Sequence, residues 1–147
     1  MTNVERMTES EARKPSDEFW RADDSSVVRE DAPNRVYDLE ERTARFGEAV
    51  IYFAKIIRQN AVTGRLISQI IGAASSVRAN YVEADDAISK KEFLKNIGAC
   101  RKEARETKHF LRMIVRAVPE LKPQARTPWI EAKELHLISS KIWRGKA

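Results

Sequence analysis

Between Ser89 and Pro119 the residues Phe93, Ile97, Cys100, Ala104, Thr107, Leu111, Ile114 and Val118 recur at steps of four and three. Only an amphipathic α-helix turns residues at that rhythm onto one face, so this stretch predicts a long helix with a single buried stripe. Its ends are marked as well. Ser89 and Glu92 have the spacing of a capping box, in which each side chain satisfies a free backbone N–H of the first turn. Pro119, which has no N–H to donate, stops it.

The same rhythm appears three more times. Leu39, Thr43, Phe46, Val50, Phe53 and Ile57 form a stripe after Asp38, with Glu41 at capping-box spacing and an expected end near residues 58–61. Leu66, Ile70, Ala73, Val77, Tyr81 and Ala84 form another, starting near Thr63 or Gly64 and widened by Ile67, Ile71 and Ala74. Glu83, Asp85 and Asp86 oppose the helix dipole and mark its end. A fourth is predicted from Thr127 as cap and Pro128 as first residue, with Trp129, Ala132, Leu135, Ile138 and Ile142 facing inward. Pro123 and Pro128 are expected to bracket a rigid connection. The prediction is an all-α fold, an antiparallel up-down-up-down four-helix bundle over residues 37–147.

Residues 1–36 have no such rhythm. They carry six basic and nine acidic side chains, and the rest of the chain carries twenty-one and thirteen. That composition predicts a disordered acidic N-terminal arm. Phe19 and Trp20 stand out in it as an anchor for a partner or for the bundle itself. The bundle is more basic than the whole chain, which permits a polyanionic partner. No segment has the roughly 20 apolar residues of a membrane span, and the N-terminus has no apolar signal-peptide core. With Cys100 as the single cysteine, no intrachain disulfide is possible. The expectation is a cytoplasmic protein with no membrane association.

Searching the stripes for chemistry yields little. Glu106 and His109 have the Glu-x-x-His spacing of di-iron bundles, but such centres need two of these motifs and further inward carboxylates. Glu83, Asp85 and Asp86 lack the glycine and ligand spacing of a calcium loop. Cys100 falls on a core position, no spacing pairs it with His109 or His136, and Gly64, Gly72 and Gly98 are isolated rather than clustered in a phosphate loop. The sequence predicts no catalytic residue, no metal, no cofactor and no enzyme.

One charged pattern does stand out. Lys91, Lys95, Lys102, Arg105, His109, Arg112 and Arg116 recur on the third helix about 200° from its core positions, two residues of rotation away. Lys90, Arg101 and Lys108 flank them. From Ser89 to Ala117 there are nine Lys and Arg against three Glu. A cationic ridge of this kind suits a run of phosphates, which Arg grips with paired donors and Lys with point charge. The alternative is a solvated helix face whose cations pair with Glu103 and Glu106. Apolar residues off the stripes (Ile67, Ile71, Phe110, Met113, Ile130, Leu137 and Trp143) exceed what one core readily buries and predict self-association.

The segment Ser75-Ser76-Val77-Arg78-Ala79-Asn80-Tyr81-Val82-Glu83-Ala84 resembles the Ser-Val-x-Ala-Asn-x-x-Glu-Ala signature of a bacterial four-helix-bundle family. Its members are the intervening-sequence proteins, encoded within inserts of 23S ribosomal RNA genes. Lys102-Glu103-Ala104-Arg105-Glu106-Thr107 with Phe110-Leu111-Arg112 resembles the family's third-helix motif, and Asp38-Leu39-Glu40-Glu41-Arg42-Thr43 its opening. The family is similar in fold to the accessory protein of diversity-generating retroelements, a basic pentameric barrel that binds nucleic acid and a reverse transcriptase. The resemblance implies a homopentamer with cationic surfaces and, as partners, nucleic acid (RNA before DNA) and a protein such as a reverse transcriptase. The acidic arm departs from the family's short N-terminus and is placed to screen the ridge. The expected function is that of a non-enzymatic oligomeric accessory protein, binding structured RNA through the ridge with Arg78 as an addition. The alternative is a protein-interaction scaffold whose ridge docks an acidic protein.

Overall fold

A computed structural model of the chain describes residues 38–146. The expectations for the N-terminal arm, including Phe19 and Trp20, lie outside the described residues. Four helices follow one another: α1 (Leu39–Lys55), α2 (Ala61–Asp85), α3 (Lys90–Ala117) and α4 (Lys122–Lys146), with one 3-10 turn, Pro119–Leu121, leading into α4. There is no strand among the described residues. Each helix packs on the next, and α1 meets α4 over a short span to close the bundle. Contacts fix the register. Glycine at 98 lies against Trp143 and Lys108 lies over Trp129, so α4 descends as α3 rises.

The inward stripes are the core. All six stripe residues of α1 and its exit are buried, as are Ile70, Ala73, Val77 and Ala84 of α2. Ile97, Cys100, Ala104, Thr107, Leu111 and Ile114 bury on α3, and Trp129, Ala132 and Leu135 on α4. Burying a Leu or Ile side chain of this kind contributes about 1.5–3 kcal/mol. The polar members satisfy themselves along their own helix. Thr43 Oγ1 donates to the Leu39 carbonyl at 2.6 Å and Thr107 Oγ1 to that of Glu103 at 2.9 Å. The Cys100 thiol reaches across to the Val77 carbonyl at 3.4 Å and ties α3 to α2.

The helix ends differ from expectation in four places. α1 stops at Lys55, short of residues 58–61, and the N–H groups of Ile56 and Ile57 turn back to the Phe53 and Ala54 carbonyls. Asp38 makes no side-chain cap, because its backbone is not extended and its carboxylate is not aimed at the Glu41 N–H; Glu41 instead accepts from Arg45 Nε at 3.1 Å. The cap of α2 is Asn60. Its Oδ1 accepts from the N–H groups of Val62 and Thr63, each at 2.9 Å, and Thr63 Oγ1 accepts from the Asn60 N–H at 2.9 Å. Thr63 is thus the third residue of that helix and not its cap. The largest difference is in α4, which begins at Lys122 and carries Pro128 inside it. Pro123 sits in the first turn, where its missing N–H costs no hydrogen bond. Ala125 is fully buried and Trp129 nearly so, one turn apart on the same face. Packing on both sides of Pro128 holds the helix through it.

The off-stripe apolar residues are also better covered than the sequence suggested. Ile67, Ile71 and Phe110 pack against the core, because α2 and α3 share a broad interface. The large apolar side chains that remain exposed include Ile51, Tyr52 and Ile56 at the end of α1 and Val62 at the start of α2, with Ile88 in the next turn and Ile130 on α4.

Candidate nucleic-acid interface

The ridge residues Lys91, Lys95, Lys102, Arg105, His109, Arg112 and Arg116 are all exposed. They project from one side of α3, away from Ile97, Ala104 and Leu111. From Lys91 to Arg116 the ridge runs roughly 37 Å at 1.5 Å per residue. Lys91, Lys95, Lys102, Arg105, His109 and Arg116 form no ion pair with a carboxylate among the described residues. Glu103 and Glu106 lie to one side and act on each other, with Lys102 near enough to offset part of the repulsion at Glu103. Burial raises the Glu103 carboxyl above the usual carboxylate range, and Glu106 raises it further. Arg78 is not part of this row: it is half-exposed and faces Glu40 of α1 at 3.6 Å.

The other sequence candidates fall as follows. Cys100 is buried, and burial pushes its thiol up to about 12, so it stays protonated and unreactive in the folded chain. His109 is exposed and its ring stacks edge-on against Phe110, with centroids 5.0 Å apart. No three His, Cys, Asp or Glu side chains group at metal-binding range among the described residues.

The sequence reading missed a cleft beside the ridge. Where α3 passes α4, Gly98, Arg101, Lys102, Arg105, His136 and Trp143 enclose a shallow space of about 300 Å³. Gly98 leaves room for the indole: a Cβ there would already touch Trp143 Nε1 at 3.6 Å. The Arg101 guanidinium lies 5.6 Å from the centre of the Trp143 ring. Further along the same groove Lys108 Nζ sits 4.7 Å from the centre of the Trp129 ring. Among the described residues, no carboxylate lines the cleft.

His136 registers this electrostatic setting. Burial lowers its proton affinity below the ordinary 6.5, and the positive charges of Lys108, Arg101, Arg105 and Arg144 lower it further. Because the folded pKa lies below the unfolded one, the unfolded chain binds the proton first as pH falls. The His136 contribution to stability is therefore fully present above about pH 6.5 and is lost as pH drops through the folded pKa. In denaturant titrations, the wild type is expected to lose more stability on acidification from neutral pH than His136→Gln. A greater loss in the variant would contradict this setting.

No family model matches the chain, and no curated protein matches it. The chain is similar to a protein of unknown function from the S23 ribosomal protein family of Bacteroides thetaiotaomicron. The two share 20% identity and superpose with a TM-score of 0.65 over 71% of this chain and 97% of the other. At that identity the likeness speaks for the fold: the four-helix bundle is an architecture already seen in that family's protein.

Proposed function

We propose that this protein is a non-enzymatic, oligomeric accessory protein of the cytoplasm that binds nucleic acid through the outward face of α3. The observation that carries this reading is the row of exposed cations from Lys91 to Arg116, most without a carboxylate partner among the described residues. A solvated face balanced by Glu103 and Glu106 would pair them; here Lys91, Lys95, Arg105, His109 and Arg116 form no ion pair with a carboxylate among the described residues. Structured RNA is favoured over DNA on the resemblance to intervening-sequence proteins, to which the S23-family likeness adds support in fold. The same resemblance suggests a homopentamer. The exposed apolar group of Ile51, Tyr52, Ile56 and Val62 at one end of the bundle supplies a surface for subunit contact.

The test is a salt titration of binding between the full chain and a labelled RNA hairpin. With about six phosphates neutralised, affinity falls roughly a thousandfold between 50 and 200 mM salt. A flat response, or capture of an acidic protein with no RNA affinity, would replace this reading with that of a protein scaffold.

A further inference from the structure

The ridge explains contact with phosphates but leaves the cleft between α3 and α4 without a use. The cleft differs from the ridge in kind. It is concave, it joins three cationic side chains to an aromatic ring, and it contains no acid. Its size suits one nucleotide and not a duplex edge. We propose that this cleft is a subsite for a single unpaired nucleotide of the bound RNA, its base on the Trp143 indole and its phosphate on Arg101, Lys102 and Arg105.

The proposal rests on the reading of α3 as an RNA-binding face and adds what that face grips beyond a regular helix. Three observations lead to it. Base–aromatic stacking needs an accessible indole face beside a cationic track, and Trp143 is half-buried at the margin of the ridge. Arg101 already stands over that ring, so a base stacking on this face takes the place of the guanidinium, which then covers the base or reaches its phosphate. Arg101, Lys102 and Arg105 form no ion pair with a carboxylate among the described residues, so an incoming phosphate breaks no salt bridge of theirs.

His136 fits the same occupant. A neutral imidazole offers one donor and one acceptor, the pairing that the edge of a base presents in return. An aliphatic or purely anionic ligand would use neither that edge nor the indole. The charged groups that act on His136 are Arg101, Arg105 and Lys108 from α3 and Arg144 from α4, all cationic. A phosphate entering among them offsets their repulsion, so nucleotide binding raises the proton affinity of His136.

The cleft and the ridge can be separated experimentally, because Lys91, Lys95 and Arg116 are ridge residues that do not line the cleft. Two probes serve: fluorescein-labelled oligouridine about twelve nucleotides long, within the range of single-strand binding sites, and a fully paired RNA duplex. Trp143→Leu removes the stacking face. Gly98→Leu crowds the indole and fills the cleft while leaving every charge in place, and unchanged helical circular dichroism and duplex binding show that the bundle is intact. Each is expected to lower affinity of the full chain for oligouridine about tenfold, the scale of one lost base stack, with duplex affinity kept within about twofold. Trp143→Phe is expected to retain most single-strand binding. The triple variant Lys91→Glu, Lys95→Glu and Arg116→Glu should weaken both probes.

If Trp143→Leu and Gly98→Leu leave oligouridine binding unchanged while the triple variant weakens it, the subsite is wrong and the ridge stands. Equal losses on both probes would also overturn the subsite. A wild type that binds neither probe would overturn the subsite and the RNA-binding reading together.

Discussion

Changing Lys102, Arg105 and Arg112 together to Glu is expected to lower affinity for an RNA hairpin by about a hundredfold or more at moderate salt. Each change removes a phosphate contact and puts a negative charge where the backbone would lie. All three side chains are exposed, so the bundle should keep its helical circular dichroism and nearly its full stability. Lys102 and Arg105 also line the cleft, which concentrates the effect where ridge and cleft meet. An unchanged affinity in a folded variant would remove α3 from the account.

The second large effect is on stability, at the seam where α1 meets α4. Arg42 of α1 reaches two carboxylates of α4: its Nε donates to Glu131 Oε1 at 2.9 Å, and its Nη2 bonds Glu134 as well. The Arg42 side chain is only 14% exposed, with Glu134 at 19% and Glu131 at 32%. Burial by itself would make the guanidinium easier to deprotonate, but its hydrogen bonds and charge pairing with the two carboxylates outweigh that and raise its pKa. Packing between α1 and α4 is thin, so this cluster is the clasp of the bundle. Arg42→Ala takes the shared guanidinium from two half-buried carboxylates and is expected to lower the unfolding free energy by about 2–3 kcal/mol, less than for a fully buried pair because solvent still reaches Glu131. Arg45→Ala, at the exposed Arg45–Glu41 pair of the same helix, is the control and should cost little. Chemical denaturation of both variants checks this; equal small losses would show that the clasp contributes nothing.

Much of the bundle can be read in the chain because helical periodicity is a local property. The steps from Leu39 to Ile57 and from Ile97 to Ile114 place the buried residues without any knowledge of their neighbours. Caps are less legible. Asp38 and Thr63 have the right chemistry, yet a cap depends on backbone angles that the flanking turn sets. Pro128 was misread for a related reason: a proline's local preference yields when the residues on either side, Ala125 and Trp129, are both held in the core.

The ridge was legible and the cleft was not, and the difference is physical. The outward side of α3 follows from its own stripe. The meeting of Gly98, Arg101 and Arg105 with His136 and Trp143 depends on the register between two helices, which no periodicity within either one encodes. The same holds for Arg42, whose partners lie 89 and 92 residues further along the chain. His136 had no partner within reach in sequence, and its cationic neighbours come mainly from the adjacent helix.

The central claim is that α3 neutralises a row of phosphates. The most direct test compares the dependence of log affinity on log salt for the wild type and for the Lys102, Arg105 and Arg112 charge-reversal variant, on one RNA hairpin. The expected wild-type slope is near −5, from about six phosphates, and the variant slope is expected to be shallower by about three. Two equal slopes, or a wild-type slope near zero, would contradict that claim.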